Sequence, residues 1–331
     1  MDTTHLIDPD IAGALALLPP LDLTSEGLSA VRAAMAAAPT PPLPDGVTEE
    51  EVLVPREGEK PVRVLVHRPA SLAPDAPGVL WIHGGGYVFG SPDADRALSG
   101  TYAMALDAVV VSVDYGLSPE NVAPGPVEDC YAALRWFHEH AADLGVDRSR
   151  LAIAGASAGG GLTAGLALLA RDRGEVPLVM QFLVYPMLDD RTVTTADPNP
   201  VTGQFVWTPT YNEFGWRAHL GTDPGSAGVS PYAAAARAED LSGLPPTFIE
   251  VGALDLFLEE DVEYARRLVR AGVPTELHVY PGAFHGYQMA VDAPVTRTSF
   301  QLGVSALRRA LHPAAAQTPR QDGTDGATVD G

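Results

Sequence analysis

A serine lies in a short glycine-rich segment that could activate it as a nucleophile. Residues 155–159 read GASAG, directly after the apolar run RLAIA and directly before a helical segment. A sharp turn from strand to helix needs small residues beside the serine, and it lifts the hydroxyl clear of the backbone at the positive end of the helix. This context predicts that Ser157 is a nucleophile. An ordinary glycine turn is the alternative.

A serine hydroxyl is a poor nucleophile unless a base takes its proton and an acid orients that base. Three histidines, His278, His285 and His312, follow the later acids of the chain. His278 lies inside a predicted strand, and His312 borders the C-terminal tail. His285 follows a predicted strand end in the glycine-flanked loop GAFHGY, at the edge where open parallel sheets place their sites. We therefore predict that His285 is the base, with a structural loop histidine as the alternative.

The acid is predicted from the same reasoning about strand ends. Asp255 lies just beyond the apolar run PTFIEV, in a loop. Glu250 lies in the strand itself and is the less favoured alternative. Glu259, Glu260 and Asp261 suit the first turn of the following helix, where negative charge favours the helix dipole.

Three glycines follow His83 in the segment WIHGGGYVFGS. Attack on an ester carbonyl builds negative charge on its oxygen, and backbone N–H groups held in place stabilise that charge. We expect the N–H groups of Gly84, Gly85 and Ala158 to form this oxyanion hole, and His83 to brace the loop. A tight turn with no binding role is the alternative for the glycines.

Eight short apolar segments predict the strands that must hold these residues. Six are continuously apolar, which suits strands covered on both faces: GVLWIH, AVVVSVDY, RLAIAG, LVMQFLVYP, PTFIEVG and TELHVYP. Two alternating runs, EEVLVP and PVRVLVHRP, predict an antiparallel pair around Gly58. Helical periodicity predicts helices at 126–141, 158–172, 259–271 and near 294–311. Such alternation of strands and helices implies a mostly parallel sheet with right-handed crossovers.

The chain is predicted to have one catalytic domain with two additions that cap it. Residues 1–45 form an N-terminal arm with an amphipathic helix around GLSAVRAAMAAA, and residues 46–312 form the domain. An insertion at about 190–235 contains the aromatic helical segment FVWTPTYNEFGWRAHLG. The tail, 313–331, is polar and is expected to be disordered. Either an apolar wall for the acyl group or packing of the cap on the domain would explain five aromatic residues of the insertion: Phe205, Trp207, Tyr211, Phe214 and Trp216.

Composition excludes several classes of function. The chain has 331 residues, and its hydrophobic content of 46% is enough for a sizeable core. Its net charge of −21 is unlike that of a protein that binds nucleic acid or anionic membranes. Its one cysteine, Cys130, cannot form an internal disulfide and lies in an apolar helical segment, so we expect a packed thiol. His138 and His140 would point apart on a helix, and no metal or other cofactor is expected. Without a secretion signal or membrane-spanning run, we expect a cytoplasmic protein.

Together these motifs resemble the hormone-sensitive lipase-like family of α/β-hydrolases, the bacterial family IV esterases. The resemblance covers roughly 50–312 and is carried by HGGG at 83–86, DYGLSPE at 114–120, GASAGG at 155–160, and then Asp255 and His285. It implies the α/β-hydrolase fold, with a mostly parallel eight-stranded sheet flanked by helices and a helical cap. It also implies a catalytic triad of Ser157, His285 and Asp255, and an oxyanion hole at Gly84, Gly85 and Ala158. The implied partner is a small ester with a short acyl chain, and a homodimer is common in the family.

Three positions depart from the family pattern. Ala156 stands where Asp or Thr usually precedes the serine, Leu256 stands where Pro usually follows the loop acid, and Gly116 replaces a common Arg. None of these changes removes a catalytic group. They leave loop rigidity and substrate preference open.

The leading functional hypothesis is a serine carboxylic ester hydrolase that works through an acyl-enzyme. A ligand-binding protein on the same fold, without catalysis, is an alternative because a fold alone does not fix a function. Amidase or lactonase activity would use the same groups and is a further alternative.

Overall fold

A computed structural model describes residues 2–16 and 21–313 of the chain. The predicted tail lies outside the described residues beyond Pro313. The strands are β1 (Val47–Val54), β2 (Val62–Pro69), β3 (Ala76–Ile82), β4 (Val109–Asp114), β5 (Val146–Ala156), β6 (Met180–Val184), β7 (Thr247–Gly252) and β8 (Thr275–Tyr280). The helices are α1 (Pro9–Leu15), α2 (Leu28–Ala36), α3 (Arg96–Leu106), α4 (Gly125–Glu139), α5 (Ala158–Arg173), α6 (Pro209–Leu220), α7 (Leu258–Arg270) and α8 (Pro294–Leu311).

All eight predicted strands form one sheet in the order β1-β2-β4-β3-β5-β6-β7-β8. The pairs β1–β2 and β2–β4 are antiparallel, and the other neighbours are parallel. The prediction of a mostly parallel sheet with an antiparallel pair at its start is confirmed.

The sheet is covered on both faces, which explains the continuously apolar strand sequences. Along β3, Leu80 and Ile82 pack in the core on the side of α4 and α5, while Val79 and Trp81 pack in the core on the side of α3 and α8. Every residue of β3 is buried. Successive side chains of a strand point to opposite faces, so a strand between two helical layers needs apolar residues at every position.

The four predicted helices correspond to α4, α5, α7 and α8, and the helical segments of the arm and the insertion correspond to α2 and α6. Helices α1 and α3 were not predicted. Helix α3, RALSGTYAMAL, buries Ser99, Gly100 and Ala103 besides two larger side chains. Small and polar residues on the buried face leave no clear apolar period, and glycine is a weak helix former, so the sequence carries little helical signal there.

The sheet order brings the predicted site residues to one edge. Strands β3, β5, β7 and β8 lie within five adjacent positions of the sheet and run parallel. The glycine segment, the serine, the acid and the histidine each follow the carboxyl end of one of these strands, where ligands bind in open α/β sheets. The arm and the insertion meet above this edge, because the Tyr211 hydroxyl donates to the carbonyl oxygen of Leu21 at 2.8 Å.

Candidate active site

Ser157 lies on a strained turn between β5 and α5. Its φ of 56° and ψ of −122° place it in a region that residues with side chains rarely adopt. Its N–H donates to the carbonyl oxygen of Val184 at 2.9 Å, which holds the turn against β6. A Cβ at Gly159 would lie 2.1 Å from the carbonyl oxygen of Ile82, so only glycine lets α5 begin this close to β3. The geometry is that of a nucleophile elbow.

The structure brings the predicted serine, histidine and aspartate into one chain of hydrogen bonds. The Ser157 hydroxyl lies 2.9 Å from Nε2 of His285, and Nδ1 of His285 lies 2.8 Å from Oδ2 of Asp255. The second carboxylate oxygen, Oδ1, accepts the N–H of Phe257 at 3.0 Å. The exposed fractions are 6% for the serine and the histidine and 0% for the aspartate. Such an arrangement can move a proton from the hydroxyl to an imidazole that faces a buried carboxylate.

The glycine segment presents bare backbone beside this serine. Within the described residues, no acceptor is found for the N–H groups of Gly84, Gly85 and Ala158. Gly85 has a φ of +118°, and a Cβ on it would lie 2.0 Å from the carbonyl oxygen of Phe89. The predicted oxyanion-hole residues therefore lie together near the serine, with donors that nothing in the described chain occupies.

His83 lies behind this loop and is not in contact with the serine hydroxyl. Its Nδ1 is 2.7 Å from the carbonyl oxygen of Gly84, and its ring stacks on Tyr115 at 4.3 Å between centroids. Burial lowers the pKa of His83, which favours the neutral ring. These contacts fit the bracing role that the sequence indicated.

The alternative acid, Glu250, is not hydrogen-bonded to His285. Its carboxylate accepts from the hydroxyls of Ser299 and Tyr280 and from the amide of Gln288, at 2.9–3.3 Å. Burial raises its pKa to about 7. The other two histidines also lie away from Ser157. His278 pairs with Glu276, another residue of β8, and His312, which follows α8, is hydrogen-bonded to the carbonyl oxygen of Leu106.

Sequence reasoning missed the role of Glu260. It lies in the first turn of α7 as expected, yet it is buried, and its carboxylate accepts the N–H groups of Leu188 and Asp189. It thus fixes the segment after β6 to α7. A negative charge in the first turn of a helix predicts an exposed acid that interacts with the helix dipole. No signal in the local sequence distinguishes such an acid from a buried one that binds backbone N–H groups.

Two residues beside the site were also not identified from the sequence. The ring of Tyr185 lies 4.6 Å from that of His285 between centroids, on a residue with positive φ. Arg32 of α2 donates to the carbonyl oxygens of Val88 and Ser118 and pairs with Glu120. The sequence offers one weak signal for each residue: Tyr185 lies in the segment YP directly after β6, and Arg32 is the single arginine of the arm.

A cleft of about 690 Å³ contains the serine and the histidine. Its floor is the glycine segment, and α2 of the arm forms one wall. Its larger apolar lining residues are Leu21, Met35, Phe89, Leu98, Leu117, Tyr185, Val206 and Trp207.

Of the five cap aromatics, only Trp207 lines this cleft. Its ring lies against Gly86, and its Nε1 donates to Asn212 at 3.0 Å. The other four lie outside the cleft, which fits the packing alternative. Trp216 is fully buried against Tyr87, Phe205 packs on Phe284, Tyr211 contacts the arm, and Phe214 packs against the core.

Three further features of the described residues bear on chemistry. No group of three or more His, Cys, Asp or Glu side chains there could hold a metal ion. Cys130 is buried, and burial raises the pKa of its thiol well above the ordinary value, as fits a packed side chain. No helix in the described ranges combines the length and apolarity needed to cross a bilayer.

Comparison with known proteins gives consistent matches over nearly the whole chain. The alpha/beta hydrolase fold family model matches residues 79–289. The carboxylesterase NlhH of Mycobacterium tuberculosis is 37% identical over 92% of this chain and 97% of its own length, and the esterase LipI of the same organism is 34% identical over 94% and 97%. The solved structure of a bacterial heroin esterase is 39% identical, with a TM-score of 0.85 over 94% of this chain and 99% of the other.

Proposed function

The chain belongs to the hormone-sensitive lipase-like family of α/β-hydrolases, and from this premise we propose that it hydrolyses short-chain acyl esters with Ser157 as the nucleophile. It is a carboxylesterase, as are its named relatives. In this proposal His285 is the base, Asp255 orients it, and the N–H groups of Gly84, Gly85 and Ala158 form the oxyanion hole.

The reaction runs in two halves. The Ser157 hydroxyl gives its proton to Nε2 of His285 while its oxygen bonds to the ester carbonyl carbon, and the bare amides stabilise the resulting oxyanion. The bond from carbon to the alcohol oxygen then breaks, and that oxygen takes the proton from Nε2. Water next attacks the acyl-enzyme, passing one proton through His285 to the serine oxygen. The products are one carboxylic acid and one alcohol.

The observation that carries the proposal is the continuous hydrogen-bonded chain from hydroxyl to imidazole to carboxylate, at 2.9 and 2.8 Å. Each member is buried, so the charges that develop act in a region of low dielectric. Positions 157, 255 and 285 are far apart in the sequence, and three separate strand ends are needed to bring them together.

The short-chain preference is supported by the cap. Residues of helix α2 and Trp207 line the cleft that contains the serine and leave part of it closed to solvent. In a series of p-nitrophenyl acetate, butyrate, octanoate and laurate, we expect kcat/KM to be highest for the first two. A maximum at laurate would contradict this preference.

The nucleophile is tested by replacing Ser157 with alanine. We expect kcat for p-nitrophenyl butyrate to fall by at least about 10³-fold, because the covalent step is lost while the amides and the cleft remain. The circular dichroism spectrum and the urea midpoint should stay close to those of the wild type. Undiminished turnover in the folded variant would reject Ser157.

The non-catalytic alternative predicts a different result with an active-site probe. A fluorophosphonate should label the wild-type protein at one residue and leave the Ser157→Ala variant unlabelled. Folded wild-type protein that neither labels nor hydrolyses any ester of the series would favour the ligand-binding alternative.

A further inference from the structure

A second cavity of about 600 Å³ adjoins the cleft that holds the serine. It lies between α3, the turn at 287–291 and the start of α8. Four residues, Ala94, Leu98, Ala156 and Tyr185, line both spaces. The two are therefore neighbours, separated by the side chains of these four residues.

Ala156 lies at this junction because of its position on the elbow. Its neighbours Gly155 and Ser157 are buried, whereas Ala156 itself is only half-buried and faces the open space. Side chains alternate in direction along a strand. The methyl group of Ala156 therefore points to the face of the sheet that α3 and α8 cover, opposite to the face covered by α5. A longer side chain at position 156 would extend into the junction between the two spaces.

The lining of the second cavity suits an apolar group. Its mouth carries Leu98, Met289 and Val291, whose exposed fractions of 39%, 38% and 69% are high for such side chains. Tyr102 and Phe300 form its inner wall. The carboxylate of Glu250 also reaches this wall, but its oxygens already accept three donors from the protein. Burial of apolar surface would therefore supply the binding free energy.

The direction of the reaction indicates which part of a substrate reaches this cavity. Nε2 of His285 must return the proton to the alcohol oxygen, so the alcohol portion leaves on the histidine side. Tyr185, whose ring packs on that of His285, is part of the wall shared by the two spaces. Gly84 and Gly85, which would hold the carbonyl oxygen, line the first cleft alone.

We propose that the second cavity binds the apolar alcohol portion of ester substrates, and that the small side chain of Ala156 lets large alcohols enter it. This inference rests on the proposed function of the Ser157 site. It assigns a role to one of the positions at which the sequence departs from its family.

The test compares two acetate esters in variants that narrow the cavity. Ala156→Leu obstructs the junction, and Ala97→Leu narrows the second cavity on α3, at a residue that does not line the cleft. We expect the ratio of kcat/KM for benzyl acetate to that for ethyl acetate to fall at least about tenfold in both variants, relative to wild type. In Ala97→Leu, kcat/KM for ethyl acetate itself should change less than about threefold. Ala142→Leu, at an exposed residue far from both spaces, adds the same side chain as a control and should change neither.

Two results would overturn the proposal. One is an Ala97→Leu variant that loses no selectivity between the two acetates. The other is a loss in both variants that follows the acyl chain, seen with ethyl butyrate and ethyl hexanoate rather than with benzyl acetate. The proposed function is judged separately, because it requires only that wild-type protein hydrolyse ethyl acetate and be labelled by a fluorophosphonate.

Discussion

Asp255 shows how much of the site depends on one buried carboxylate. It has an exposed fraction of 0%, and its two oxygens are used by different partners, the His285 ring and the Phe257 N–H. This division fixes the plane of the carboxylate and therefore the orientation of the imidazole. Leu256, where the family usually has proline, does not disturb the contact, because the backbone of the same turn supplies the second hydrogen bond.

The residue-scale prediction concerns the charge of this group. Asp255→Asn keeps the size of the side chain but cannot stabilise a positively charged imidazole, so we expect kcat for p-nitrophenyl butyrate to fall about 10³- to 10⁴-fold. Steady-state kinetics on the folded variant measures this. Glu259→Gln, which removes an exposed carboxylate four residues away, is the matched control and should stay within about twofold of wild type. A variant at position 255 with nearly normal kcat would exclude Asp255 as the orienting acid.

The sequence indicated the three residues of the proposed triad because each depends on a local signal. The GASAG turn, the loop after PTFIEV and the glycine-flanked His285 all follow recognisable strand ends. Glu260 and Tyr185 could not be found in this way. Their roles come from packing between segments distant in the chain, which no local pattern records.

At the scale of elements, Arg32 of α2 is one of the side chains that hold the arm to the domain. Arg32 alone makes contacts with two backbone carbonyls, of Val88 and Ser118, and an ion pair with Glu120. The carbonyl of Val88 belongs to the loop that follows the glycine segment. The Arg32 side chain therefore links α2 of the arm to the loop that follows the glycine segment, in addition to the contact of the Trp207 ring with Gly86.

The element-scale prediction is that Arg32→Ala loosens α2 over the cleft. We expect KM for p-nitrophenyl butyrate to rise about five- to tenfold with kcat changed less than about threefold, because substrate positioning is lost while the reacting groups stay in place. Limited proteolysis should also cut the arm faster. Arg135→Ala removes an arginine from an exposed surface pair and is the control. Unchanged KM and unchanged proteolysis in Arg32→Ala would contradict the role of α2 as a wall of the cleft.

The layered fold was predictable element by element, except for helices α1 and α3. Continuously apolar strands indicated a sheet covered on both faces, and both cores are present. Helix α3 was missed because its buried face uses glycine, serine and alanine, which pack closely but carry no apolar period. The second cavity is lined on α3 by other residues, Ala97, Leu98, Thr101 and Tyr102, and no sequence pattern predicts it.

At the scale of the whole molecule, the chain combines a net charge of −21 with several buried acids. Burial raises the pKa values of Glu250, Glu260 and Asp261, as expected for carboxyl groups removed from water. Stability must therefore depend on pH through the interior as well as through surface repulsion. The homodimer and the cytoplasmic location expected from the sequence stay predictions.

The whole-molecule prediction follows the proton on Glu250. The unfolded chain releases this proton near its ordinary pKa of 4.5, whereas the folded protein holds it up to about pH 7. The stability it contributes is thus fully present below pH 4.5 and is lost as pH rises through 7, an effect of at most about 3 kcal/mol. Glu250→Gln is neutral throughout, so its free energy of unfolding in urea should fall less between pH 5 and pH 8 than that of the wild type. The control, Glu139→Gln, removes a surface carboxylate and should show the same pH dependence as the wild type. If the free energy of unfolding changed with pH equally in the wild type and in Glu250→Gln, Glu250 would not hold its proton in the folded state.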